Sequence, residues 1–167
     1  MKKMKATWTA AIAVLASAGS LAAHHSLARF DTTTAVHVKG TVVSFLRVNP
    51  HSIIFLDQTR EDGQIQRWAV DGPAPNQLDR MRVEKDILKA GDVIEVCGFV
   101  TKEGVPSQRA PQKSASVGLD PATPNMTGQV LNGHLLVMPD GTRRFWSDYG
   151  HLEKCLNPGE TRDSLIR

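Results

Sequence analysis

The sequence contains no recognisable catalytic signature and only two cysteines among its 167 residues. It has no GxSxG nucleophile elbow, no HExxH zinc motif and no glycine loop of the kind that cradles phosphates. Hydrolase and nucleotide-binding functions are therefore without support. Cys97 and Cys155 do not form a CxxC motif, so a thioredoxin-like redox role is also unsupported.

An excess of positive charge is also missing once the first residues are set aside. The formal net charge of +3 comes from 20 Lys and Arg against 17 Asp and Glu. Lys2, Lys3 and Lys5 account for all of that excess. Without them the chain has no global positive field to attract nucleic acid, and we expect no nucleic-acid partner.

No apolar run is long enough to span a membrane. The apolar segment after MKKMK is interrupted by polar and small residues and falls short of the about 20 residues that a spanning helix needs. A basic start, a short apolar stretch and small residues after it are the three parts of a secretory signal peptide. We expect residues 1–22 to be a signal peptide, the protein to be periplasmic or secreted, and the mature chain to have no integral membrane segment.

The cleavage site decides the first residue of the mature protein. Signal peptidase selects small side chains one and three positions before the cut. Cleavage after Ala22 uses Ser20 and Ala22, and cleavage after Ala23 uses Leu21 and Ala23. The first is favoured because serine is smaller than leucine. The mature chain then begins at Ala23, or otherwise at His24, with a histidine close to the free amine.

About 145 residues remain, which fits one domain. We divide them into an N-terminal arm (23–35), a β domain (36–146) and a tail (147–167). Within the domain, residues 102–132 are rich in Pro, Gly, Ser and Thr and lack periodicity, which predicts a long loop or insertion.

Apolar alternation indicates strands through the rest of the domain. VHVKGTVVSFLRV, HSIIFLDQ and IQRWAVD predict a three-stranded meander, and VIEVCGFV predicts a fourth strand. VLNGHLLVMPDGTRRFW supplies the closing strand or strands. Between the third and fourth strands, Asn76 is expected to cap a helix with Leu78, Met81 and Val83 or Ile87 facing inward. This order is typical of a mainly β, small five-stranded OB-like Greek-key barrel with one short helix.

Several short motifs occur together over roughly residues 22–100. They are Ala23-His24-His25-Ser26, Lys39-Gly40-Thr41-Val42, Asn49-Pro50-His51, Trp68-Ala69-Val70-Asp71, Pro75-Asn76-Gln77-Leu78 and Leu88-Lys89-Ala90-Gly91-Asp92. With these motifs the chain resembles a family of small exported bacterial proteins of unknown function. It departs from that family in having Asp71 where Glu is usual. The resemblance implies export and a β-rich barrel, and it implies no activity.

His24, His25 and His51 are the candidate metal ligands. A terminal amine, backbone amides and a third-position imidazole offer four nitrogens in a plane, which favours Cu(II) or Ni(II). A start at Ala23 makes His25 that third residue. A start at His24 offers an amine and an imidazole from one residue, which His51 would complete as a T-shaped copper site. Alternatively, the two arm histidines only mark an accessible cleavage site, and His51 is a surface turn residue bonded to the backbone.

Other residues have two interpretations each. Phe55 and Trp68 line a ligand-binding face of the barrel or pack in its core. Cys97 and Cys155 form a disulfide, which would stabilise the fold by about 4 kcal/mol, or remain as a buried and an exposed thiol. Asp57 and Asp71 face one another across strands as an acid and base pair, or they are ordinary surface acids.

The leading hypothesis is an exported, non-enzymatic barrel that binds copper or nickel through His24, His25 and His51. The second is an interaction or carrier module in which Trp68 and residues 102–132 contact a periplasmic protein or a small molecule. A third is a copper-dependent oxidative enzyme, which requires cleavage after Ala23.

Overall fold

The computed structural model describes residues 29–102, 129–147 and 150–165. Within these ranges it contains six strands and one short α-helix. The strands are β1 (Val36–Leu46), β2 (Ile53–Thr59), β3 (Ile65–Asp71), β4 (Val93–Val100), β5 (Gln129–Val137) and β6 (Arg143–Phe145). The helix α1 spans Pro75–Arg80, and 3-10 helices follow at Leu152–Cys155 and Arg162–Ser164.

The strands form one sheet in the order β3-β2-β1-β4-β5-β6. An additional parallel pairing between β3 and β5 runs from Trp68 opposite Gln129 to Asp71 opposite Asn132. This pairing closes β1 to β5 into a barrel, with β6 added as the hairpin partner of β5. The prediction of a mainly β, five-stranded OB-like barrel with one short helix is confirmed.

The helix between β3 and β4 differs from the prediction at its start. Its N-cap is Ala74 and its first residue is Pro75, so the assignment of Asn76 as the cap is wrong. Proline suits the first helical position because its φ angle is already helical and no N–H partner is needed there. Gln77 Oε1 accepts a hydrogen bond from the Ala74 N–H at 2.9 Å, which satisfies one free backbone donor.

Alternate residues along each strand belong to different apolar clusters, as the period of a strand requires. The barrel interior contains Ile54, Leu56, Val70, Val96 and Leu136, each almost completely buried. A second cluster lies on the outer face of the sheet. It consists of Phe30, Phe55, Ala69, Phe99 and Val130.

The N-terminal arm and the tail cover this outer face. Phe30 of the arm forms an isolated β-bridge with Thr101. Cys155 of the tail is joined to Cys97 of β4 by a disulfide with a Cα–Cα distance of 5.7 Å. This disulfide confirms the prediction that the two cysteines pair. Both cysteines are buried, so the alternative of an exposed Cys155 is wrong.

The long loop predicted over residues 102–132 extends less far than expected. β5 already begins at Gln129, and residues 103–128 lie outside the described residues. Over the ranges that the structure describes, no helix has the length and apolar character needed to cross a membrane.

Candidate functional site

Buried polar residues gather where β2 begins and β3 ends. Opposite Asp71 lie Ile53 of β2 and, across the barrel closure, Asn132 of β5. The strand pairing therefore brings together side chains that are far apart in sequence. We call this group the His51 cluster, and its members are His51, Ser52, Asp71, Asn132 and His134.

His51 is held by two acceptors on the same ring nitrogen. Its Nδ1 lies 3.2 Å from Asp71 Oδ1 and 3.1 Å from the Gly72 carbonyl oxygen. Since both neighbours are acceptors, Nδ1 is the donor to them. The expected backbone hydrogen bond is present, but the expectation of a surface residue is wrong, because His51 is only 8% exposed.

Asp71 connects the cluster to the N-terminal arm. Its Oδ2 lies 3.6 Å from Nη2 of Arg29, and the carboxylate is 5% exposed. A carboxylate buried to this degree needs compensating donors, and Arg29 and His51 provide them. The interpretation of Asp71 as a surface acid is therefore wrong.

The backbone of the arm is anchored beside the end of β4. The Lys102 N–H donates to the Arg29 carbonyl at 2.9 Å, and the Asp31 N–H donates to the Val100 carbonyl at 2.8 Å. Phe30 between them is buried in the outer cluster. The described part of the arm contacts the His51 cluster through the Arg29 side chain, whereas His24 and His25 lie outside the described residues.

Gly72 allows the Trp146 side chain to approach the cluster beside Ser52, which is one of its members. A Cβ atom at this position would clash with Trp146 Nε1 and with Ser52 Oγ, so the close packing requires glycine. Within the described residues, neither of these two buried polar atoms has a hydrogen-bond partner.

His134 is a member of the cluster that sequence reasoning left without a role. Its Nε2 lies 2.8 Å from Asn132 Oδ1, and its ring meets Phe99 edge-on with centroids 5.0 Å apart. The signal in the sequence was a histidine inside an otherwise apolar strand. A register irregularity near this point of the β4–β5 pairing accompanies its placement on the outer side.

The structure separates the residues proposed for a barrel-face site. Phe55 belongs to the outer cluster, whereas Trp68 packs with the interior and donates from Nε1 to Gln58 Oε1 at 3.0 Å. Asp57 and Asp71 are also apart, because Asp57 forms a two-bond pair with Arg67, its direct neighbour on β3.

A metal at His51 would need ligands from beyond the described residues. Among those residues, no group of three or more His, Cys, Asp or Glu side chains lies close enough together to hold a metal ion. The cluster contains two imidazoles, of which His51 is oriented by the Asp71 carboxylate and His134 lies within hydrogen-bond distance of Asn132.

The profile of a family of unknown function, DUF6152, matches residues 11–109, which is more than half of the chain. The protein belongs to the DUF6152 family. The match establishes membership rather than the individual motifs, and it covers His51 and Asp71 but not the tail with Cys155. No protein with a curated description matches this DUF6152 chain.

Proposed function

We propose that this DUF6152 protein is an exported binding protein that holds Cu(II) or Ni(II) through His24 and His25 of its mature N-terminus together with His51. The observation that carries the proposal is the contact between Arg29 and Asp71, because Asp71 is the carboxylate that orients His51. This contact supports the proposal, because it holds Arg29, four residues after His25, next to the carboxylate that contacts His51.

The stretch of chain between His25 and Arg29 is short enough for the arm histidines to reach His51. His25 lies four residues before Arg29, and each extended residue spans at most about 3.6 Å, so its backbone reaches about 14 Å from Arg29. The side chain of Arg29 already contacts Asp71 at 3.6 Å. This geometry supports delivery of His25 to the His51 cluster.

The hydrogen bonding of His51 suits a metal ligand. Histidines that bind metals usually donate their other ring N–H to a carboxylate or a backbone carbonyl, which fixes the ring and raises its basicity. Here Asp71 and the Gly72 carbonyl take that place on Nδ1, which makes Nε2 the ligating nitrogen. Imidazole and amine nitrogens favour Cu(II) and Ni(II) among the divalent metals.

We do not propose a ligand site on the barrel face. Phe55 is 6% exposed and Trp68 is 8% exposed, and they belong to separate apolar clusters. Their burial is the property of packing residues.

The first experiment is the intact mass of the exported mature protein, followed by native mass spectrometry with one equivalent of Cu(II) and a weak competing chelator. The mass gives the cleavage site, and retained copper supports the proposal. A mature chain that begins beyond His25, or one that takes up no copper, would contradict it.

Three single variants then assign the ligands. With Ala23 first, we expect His25→Ala to weaken copper binding at least tenfold, because it removes the third-position imidazole. His37→Ala is the matched control, since this exposed histidine pairs with Glu95 on the surface. His51→Ala separates the two mature starts: it weakens binding strongly if His24 is first and weakly if Ala23 is first, because the second arrangement has four nitrogens without it.

A further inference from the structure

We infer that the disulfide-tethered tail holds the N-terminal arm in register and that Lys154 is the positioning residue through which it does so. The consequence for metal binding rests on the proposed function, whereas the hold on the arm does not. Three sets of contacts connect the tail to His51.

The tail is fixed to the barrel immediately after Lys154. Cys155 is bonded to Cys97 of β4, and Arg143 of β6 donates from Nη2 to the Cys155 carbonyl at 2.8 Å. The same arginine forms a two-bond pair with the Glu160 carboxylate at 2.8 and 2.9 Å. Because Cys155 is anchored by the disulfide and by a hydrogen bond, the backbone of the adjacent Lys154 is held against the barrel.

Lys154 reaches the arm, which is more than 120 residues away in sequence. Its Nζ donates to the carbonyl oxygens of Thr32 and Thr33, the latter at 3.0 Å. Thr33 in turn donates to Asp31 Oδ1 from its backbone N–H at 3.0 Å and from its hydroxyl at 2.6 Å. The ammonium group of Lys154 therefore binds a turn of the arm that is already stabilised by the hydrogen bonds between Thr33 and Asp31.

The turn leads directly to the His51 cluster. The Asp31 N–H is bonded to Val100, the Arg29 carbonyl accepts from Lys102, and the Arg29 side chain contacts Asp71. The residues that connect the tail to the histidine are, in order, Lys154, Thr33, Asp31, Arg29, Asp71 and His51. A slip of one residue in the arm would move the upstream chain by about 3.3 Å, far beyond the roughly 0.2 Å that metal–ligand distances tolerate.

The test combines amide hydrogen exchange with Ni(II) affinity in the mature protein. Lys154→Met keeps the apolar stem and removes the donors, and Lys89→Met is the control because Lys89 is exposed at the other end of β4. We expect about fivefold faster exchange at the Asp31 and Lys102 amides and about fivefold weaker Ni(II) binding in Lys154→Met only, since a hydrogen bond contributes modestly. Lys154→Arg should restore both, and thermal unfolding should show that all variants are folded.

A second variant tests the tether itself. Cys97→Ala/Cys155→Ala should accelerate exchange at the same two amides by at least as much as Lys154→Met. Unchanged exchange in a folded Lys154→Met protein would overturn the inference. Faster exchange with unchanged Ni(II) affinity would overturn the positioning role in metal binding. If the wild type binds no Ni(II) while the exchange responds as expected, the proposed function fails and the hold on the arm stands.

Discussion

The barrel interior and the layer beneath the arm and tail are both buried, but they differ in chemistry. The interior is apolar, with residues such as Ile54, Leu56 and Val70 at or near zero exposure. The outer layer places Asp71, Asn132 and His134 beside Phe99 and Phe30. The interior is closed by strand pairing, whereas the outer layer is closed by segments held through a disulfide and a few polar contacts. The apolar core and the buried polar side chains of Asp71, Asn132 and His134 therefore occupy opposite faces of the same strands.

The largest effect should come from releasing the tail. In Cys97→Ala/Cys155→Ala the closed loop between positions 58 residues apart is lost, which costs about 4 kcal/mol on the chain-entropy account. Urea unfolding monitored by tryptophan fluorescence measures this loss. A change below about 1 kcal/mol would mean that the outer layer does not depend on the tether.

Truncating an interior residue should cost slightly less. Leu56→Ala leaves a cavity at a site with no exposure, and we expect a loss of about 3 kcal/mol in the free energy of unfolding. Ile65→Ala on the adjacent strand is the control, because Ile65 is 61% exposed. Equal losses in the two variants would contradict the assignment of Leu56 to the core.

The two Asp–Arg pairs of the sheet provide a matched comparison. Asp71→Asn removes the buried carboxylate that pairs with Arg29 and accepts from His51, so we expect a loss of about 2 kcal/mol. Asp57→Asn breaks a half-exposed pair with Arg67, for which about 0.5 kcal/mol is expected. Urea unfolding of both variants at neutral pH gives the values, and similar losses would show that the burial of Asp71 carries no added weight.

The smallest expected effect is the change in stability at low pH that depends on Glu160. Hydrogen bonds from Arg143 lower the pKa of Glu160 below its ordinary value of 4.5, so the ionised form is favoured in the folded state. This contribution to stability is present above the ordinary pKa and disappears as the pH falls through the lowered pKa. Glu160→Gln should therefore destabilise the protein at about pH 6 and destabilise it less at about pH 3. An equal effect at both values would exclude the charge as the cause.

The strands were predictable because their information is local. IQRWAVD and VIEVCGFV coincide with β3 and β4, since alternation and β-branched residues mark them without reference to the rest of the chain. The start of α1 was missed because Asn76 is a good cap in isolation, while Pro75 suits the first helical turn better. The competing signals were only one residue apart.

The site was only partly predictable. His51 was singled out and Asp71 was named, but their contact depends on the register of β2 against β3, which no local pattern specifies. Asn132 and His134 join them only through the parallel closure by β5, more than 60 residues further along the chain. The contribution of Lys154 was invisible for the same reason, because it arises from two segments at opposite ends of the described chain.

The parallel pairing of β3 with β5 also determines how far the protein can be truncated and still form a closed barrel. β5 is at once the partner that closes β3 and the outer neighbour of β4. A fragment limited to the family-matched span, residues 11–109, would lack it and would expose two hydrogen-bonding edges and much of the interior. The span matched by the family model is thus shorter than the closed barrel, and an expressed protein needs the chain through β5 to form that barrel.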